Sequence, residues 1–95
     1  MPAASRKGDQ GVPHCSGYVI AAGSSDVYIN GIAAARQGDI VTGHLLPGLP
    51  CPAHAPPIAQ GSRTIFVNNR PLARVGDPVA GCTFIAQGSP TVFAG

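Results

Sequence analysis

One short phrase occurs three times, and its spacing leaves few folds open. Arg6-Lys7-Gly8-Asp9 precedes His14, Arg36-Gln37-Gly38-Asp39 precedes His44, and Arg74-Val75-Gly76-Asp77 precedes Cys82. In every copy a side chain able to bind zinc stands five positions after the Asp. Three like turns, each followed at one fixed distance by a His or Cys, read as three arms brought to one metal ion.

The rest of the chain repeats with the same count. Ile20-Ala21-Ala22-Gly23-Ser24, Ile58-Ala59-Gln60-Gly61-Ser62 and Ile85-Ala86-Gln87-Gly88-Ser89 open three units. The first two run on without a gap into Arg36 and Arg74. The third stops at Gly95, and its missing half is found at the other end, as Pro2-Ala3-Ala4-Ser5-Arg6. The unit is thus circularly permuted. The segment Thr91 to Ala94 is expected to pair with the N-terminal segment and close a ring of three equivalent units.

Within a unit, the Gly-Ser pairs mark a turn. Val27 and Ile29, like Ile65 and Val67, alternate with Tyr28 and Phe66 in the period of a strand. Asn30-Gly31 and Asn68-Asn69 suit a two-residue type I′ turn, which needs positive φ at both sites. Gly8, Gly38 and Gly76 are expected to adopt a backbone conformation that a Cβ would obstruct. Each unit is then a short hairpin followed by the Arg-x-Gly-Asp turn, and the fold class is all-β. Tyr28, Phe66 and Phe93 are expected in the core or between units. Arg6, Arg36 and Arg74 are expected to pair with Asp9, Asp39 or Asp77 across units, or to bond turn carbonyls.

Length and composition agree with such a fold. Ninety-five residues make one domain with a small core, a size that often leans on a metal or disulfide. There are 13 Gly and 10 Pro, while charged residues are only 11%, which suits strands and tight turns better than disorder. Net charge is +2 and three of the six cations are the Arg of the repeated phrase, so no basic stripe remains for nucleic acid. No stretch approaches the roughly 20 apolar residues of a membrane span. The N-terminus lacks the apolar segment of a signal peptide, and folding in the cytoplasm is expected. Three Cys is an odd number, which in a reducing compartment favours metal binding over disulfides.

His14, His44 and Cys82, being equivalent, supply three ligands where the axis of the ring leaves the protein. Structural zinc takes four. The fourth must break the symmetry, and the second unit carries a long Pro-rich insertion, residues 45–57, that holds the remaining His54. The expected set is His14, His44, His54 and Cys82, with Cys51 of the same insertion the competitor of His54. Cys15, beside His14, reads as a small buried apolar residue. A structural zinc is worth about 10–16 kcal/mol in small peptides, comparable with the whole stability of a domain.

These residues resemble the PAAR-repeat family. Its Pro-Ala-Ala-Arg motif stands here as Pro2-Ala3-Ala4-Ser5-Arg6 (one residue longer), Ala33-Ala34-Ala35-Arg36 and Pro71-Leu72-Ala73-Arg74, each followed by an intact Gly-Asp. The resemblance spans essentially the whole chain. It implies a small conical domain with zinc near the vertex, seated as the sharp cap of a type VI secretion spike. It also implies a partner, the trimeric valine-glycine repeat spike protein, contacted through exposed apolar residues on the broad base. The chain is then expected to be a single PAAR-type domain over 1–95 with no effector extension, so that effectors associate noncovalently. It would be made in the bacterial cytoplasm and delivered with the spike into a target cell, aiding membrane puncture. The rival readings are a zinc-dependent hydrolase, which needs a free acid or base near the metal, and a small zinc-binding nucleic-acid module.

Overall fold

A computed structural model describes residues 1–13, 17–42, 55–80 and 83–95. Among them there is no helix. Among the described residues, two antiparallel hairpins have strands longer than a single bridge: β1 (Tyr28–Ile29) with β2 (Ile32–Ala33), and β3 (Phe66–Val67) with β4 (Arg70–Pro71). Their registers correspond, Tyr28 facing Ala33 and Phe66 facing Pro71. The turns have positive φ at both central residues, 54° and 74° at Asn30 and Gly31, 54° and 65° at Asn68 and Asn69. That is the type I′ geometry, which matches the twist of the strands it joins.

The third hairpin is assembled from the two ends of the chain. Ala3 bridges Phe93, the Ala94 amide donates to the Pro2 carbonyl at 2.9 Å, and the Ala4 amide donates to the Val92 carbonyl at 2.9 Å. The last bond repeats Ala34 to Val27 and Leu72 to Ile65 in the other hairpins. The expected pairing of Thr91 to Ala94 with the N-terminal segment is therefore present.

Two-residue strands cannot stand alone in water. What holds them is pairing between units. The Ser5 amide donates to Ala73, the Ala73 amide to Ala35, and the Ala35 amide to Ser5, at 2.9, 2.9 and 3.0 Å. These three bonds close a ring. Three backbones meeting so closely leave no room for large side chains, which is why Ala4, Ser5, Ala34, Ala35 and Ala73 are all fully buried. The ring also fixes the register of the first copy. Ser5 takes the place of Ala35 and Ala73, so Pro2-Ala3-Ala4-Ser5-Arg6 contains no extra residue; its Pro simply stands one position earlier than Pro71.

Apolar residues line both sides of this ring. Ile20, Ile58 and Ile85 pack with Val41, Val79 and Tyr18 on one side. Ile29, Val67, Leu72 and Ala94 pack on the other. Gly11 stands where the other units have Val41 and Val79, because Tyr18 fills that space. A Cβ on Gly11 would lie 2.1 Å from the Tyr18 ring. Tyr18 in turn bonds Thr83 Oγ1 at 2.8 Å.

Two side-chain expectations need correction. Tyr28, Phe66 and Phe93 lie outside the core, with 59%, 57% and 48% of their surface exposed. The strand alternation holds, but Ile29, Val67 and Ala94 take the inner side, where the small residues of the ring leave space for aliphatic groups and not for rings. The arginines do not pair across units with the aspartates; each takes the Asp of its own turn.

Introducing Gly11→Val should destabilise the fold by about 1–3 kcal/mol through overpacking. Combining it with Tyr18→Thr should restore part of that loss, because the new Val then occupies the vacated space. Urea denaturation of the two single variants and the double variant measures the coupling; strict additivity would show that Tyr18 does not substitute for a valine.

Candidate functional site

The repeated phrase builds a closed turn. In each copy the Asp amide donates to the Arg carbonyl at 3.0 Å, and the Gly between them sits at φ 92°, 92° or 93°. Only glycine visits that left-handed region without strain. The Asp carboxylate then accepts three bonds from the Arg that opens the turn. Arg6 donates from its amide, Nε and Nη2 at 2.8, 3.0 and 3.0 Å. Arg36 does so at 2.8, 3.0 and 2.9 Å, and Arg74 at 2.8, 3.1 and 2.9 Å. These are fork-on-fork ion pairs, a geometry that lysine cannot reproduce. Hydrogen bonding to the carboxylate raises the pKa of all three guanidinium groups, with burial working against it.

The same guanidinium groups reach beyond their turns. Nη2 of Arg6, Arg36 and Arg74 donates to the carbonyl of Gly88, Gly23 and Gly61, the glycine of a Gly-Ser turn. Nη1 of Arg6 and Arg36 donates to Oδ1 of Asn30 and Asn68 at 3.2 and 3.0 Å. The expected bonds to turn carbonyls are thus found. The two asparagines do more than supply positive φ. Asn68 Oδ1 also accepts from Ser24 Oγ at 2.7 Å, and Asn30 Oδ1 accepts from Ser89 Oγ. In the third corner the Gly95 carbonyl accepts from Ser62 Oγ. Each hairpin tip is therefore latched to the root of the next hairpin. Sequence reading missed this latch. The signal was there, in an Asn at the first turn position and a Ser after each glycine.

Asp26 joins one latch. Its Oδ1 accepts from Asn68 Nδ2 at 2.8 Å and Ser24 Oγ at 2.9 Å, and those bonds, Asn68 first, hold its pKa below the usual carboxylate value. All four acidic residues of the chain are therefore engaged, three by arginine and one by amide and hydroxyl.

The expected zinc ligands His14, His44, His54 and Cys82, with Cys15 and Cys51, lie outside the described residues. Among the described residues no group of His, Cys, Asp or Glu could hold a metal. The chain leading to three of the four expected ligands is described. Val12, Thr42 and Ala80 stand two positions before His14, His44 and Cys82, and their amides donate to the carbonyls of Phe84, Val19 and Pro57 at 2.8, 2.8 and 2.9 Å. These bonds are equivalent, each tying the end of an Arg-x-Gly-Asp arm to the residue just before the Ile that opens the same unit.

Comparison with known proteins agrees with these turns. Residues 50–95 match the family model described as PAAR motif. Over this segment the chain matches the PAAR-repeat family of type VI secretion spike tips. The PAAR match takes in the Arg74 turn and the units opening at Ile58 and Ile85. The first Ile-Ala-Ala-Gly-Ser unit and the turns at Arg6 and Arg36 precede it, yet make the same hydrogen bonds as their PAAR counterparts. No curated protein matches the chain.

Removing one carboxylate leaves a guanidinium largely buried and unpaired. Asp77→Ala should therefore destabilise the fold by about 3–5 kcal/mol, read by urea denaturation; a loss under about 1 kcal/mol would mean that the pair behaves as an exposed one. A second outcome concerns pH. Because the folded pKa of Asp26 is depressed, its contribution is present above the unfolded carboxylate value and fades as pH falls through the folded one. An NMR titration should place Asp26 below an ordinary Asp, and Asn68→Ala should move it upward.

Proposed function

We propose that this chain is a noncatalytic tip that caps the end of a trimeric valine-glycine repeat spike, one chain per trimer. The observation that carries this reading is the triplicate bond set. A single chain folds into three equivalent corners, and a homotrimer presents three equivalent surfaces at its end. Exposed apolar residues accompany the corners: Val27, Tyr28, Ile65, Phe66, Val92 and Phe93. A set of this kind on a small protein suits a partner surface. The three units form a cone about a pseudo-threefold axis, with the hairpins toward the base and the ends of the Arg-x-Gly-Asp arms toward the vertex.

At that vertex His14, His44, His54 and Cys82 hold a structural zinc. Three imidazoles and one thiolate fit tetrahedral zinc, and a fourth protein ligand leaves no open position for substrate. The zinc would fasten together the three arms in which Val12, Thr42 and Ala80 stand two positions before a ligand. A hydrolase reading finds little support, because no carboxylate is free to act as a general base. A nucleic-acid reading finds none in a chain whose three turn arginines are spent on their own aspartates. The tip is assembled in the bacterial cytoplasm, travels with the spike and sharpens it for membrane puncture.

Elemental analysis should find one zinc per chain, with loss in Cys82→Ser and His54→Ala, and chelation should lower Tm. An unchanged Tm after chelation would remove the staple. Pull-down on a purified valine-glycine repeat trimer should recover one chain per trimer, whereas salt-sensitive DNA binding would overturn the capping role.

A further inference from the structure

In an antiparallel pair, residues facing each other alternate between sites that exchange hydrogen bonds and sites whose N–H and C=O point away from the partner strand. The bonds from Ala34 to Val27, Leu72 to Ile65 and Ala4 to Val92 fix the phase of that alternation. Tyr28, Phe66 and Phe93, one position on, are at the outward-pointing sites. Across from them, Ala33, Pro71 and Ala3 are at outward-pointing sites too, and their carbonyls accept from Lys7, Gln37 and Val75 at 2.8, 2.9 and 2.9 Å. The inner edge of every hairpin is therefore used. The outer edge is not: the backbone N–H and C=O of Tyr28, Phe66 and Phe93 meet no partner among the described residues.

Open edges invite pairing with another chain, and proteins guard them with charge, proline or bulges. Here Val27-Tyr28-Ile29, Ile65-Phe66-Val67 and Val92-Phe93-Ala94 carry no charged residue and no proline. The only protection is shortness. One such edge offers a single N–H and a single C=O, too little to hold a partner, but three at equivalent places bind together and gain by avidity.

We propose that the capping contact is made by strand addition: the outer edges at Tyr28, Phe66 and Phe93 each pair with an edge strand from one of three chains of the partner trimer. The backbone supplies the attachment, and the exposed rings cover each new pair from the side. The choice of occupant follows from the count. Three short, equivalent, unguarded edges select a partner that presents three strand edges at once. This inference rests on the capping reading and adds the chemistry by which the cap is held.

Proline separates the backbone from the side chain. At an outer edge it removes an N–H that the fold does not use, and edge strands tolerate it. Phe66→Pro and Phe93→Pro should stay folded, and each should weaken capture by a purified valine-glycine repeat trimer at least tenfold. Phe66→Leu, which keeps the amide, should stay within about threefold of wild type. Hydrogen exchange on the unaltered chain gives a second readout: the amides of Tyr28, Phe66 and Phe93 should exchange freely alone and become protected in the complex. If wild type is captured while these amides stay unprotected, or folded proline variants bind as tightly as wild type, strand addition is overturned and capping stands. If no trimer captures wild type, capping itself fails and the edge proposal with it.

Discussion

Everything in this fold is positioned by a guanidinium held against the carboxylate of its own turn. Both partners are largely buried, with the Arg6 side chain 10% exposed and Asp9 6%, so neither charge has water to fall back on. Coulomb attraction alone does not offset the desolvation of such a pair; good geometry and extra hydrogen bonds must add to it. Each carboxylate accepts three bonds from its Arg, and the second N–H of each Nη2 donates to a glycine carbonyl on a hairpin root. The pair therefore closes the turn and ties it to a hairpin with one side chain. Arg36 and Asp39 have a further contact, since Arg70 Nη1 approaches Asp39 Oδ1 at 3.4 Å. Arg70 is half exposed, and an exposed pair of this kind contributes little; the buried fork is the determining one.

Pairing between units makes the fold all-or-none. The ring through Ser5, Ala35 and Ala73 needs all three units, and the third hairpin needs both ends of the chain. The N-terminal segment Pro2 to Arg6 therefore cannot complete its contacts until Thr91 to Ala94 is available. Such long-range closure is entropically costly before it is rewarded, so folding should be slow relative to helical proteins of this size. It also explains why a bundle of two-residue strands is stable at all. No hairpin is asked to hold itself together; its neighbour's latch and the central ring do so.

The repeats, the turn chemistry and the ring closure were legible in the sequence because each depends on residues at fixed spacing. Glycine before Asp, asparagine at the hairpin tips, and the split unit at the two ends all translate directly into backbone geometry. The aromatic residues were misread for a definable reason. Alternation says that Tyr28 and Ile29 face opposite ways, but not which way is inside. That choice depends on the space left by Ala4, Ala34 and Leu72, which only the assembled ring reveals. The latch through Asn30 and Asn68 was hidden because one side chain serves two roles, and the turn role alone accounts for its presence. For the expected metal ligands the sequence offers a register of His, His and Cys, and all of them lie outside the described residues. The backbone two positions before His14, His44 and Cys82 is equivalent in the three units, through the bonds made by Val12, Thr42 and Ala80.

A triplicated single chain differs from a true trimer in that its corners are free to diverge, and here they diverge selectively. Backbone bonds are kept in all three units even where side chains change. Where a side chain does change, a neighbour compensates: Gly11 yields to Tyr18, and Ser5 spends its hydroxyl on the Gln87 carbonyl at 3.0 Å. At the third tip the backbone carbonyl of Gly95 stands in for an asparagine side chain. The outer rim is less constrained. Ser25-Asp26, Arg63-Thr64 and Pro90-Thr91 occupy corresponding positions and carry acidic, basic and neutral character. A partner that read side-chain charge would find three unlike corners. A partner that reads strand edges finds three equal ones, and that is the level at which this chain has kept its repeats alike.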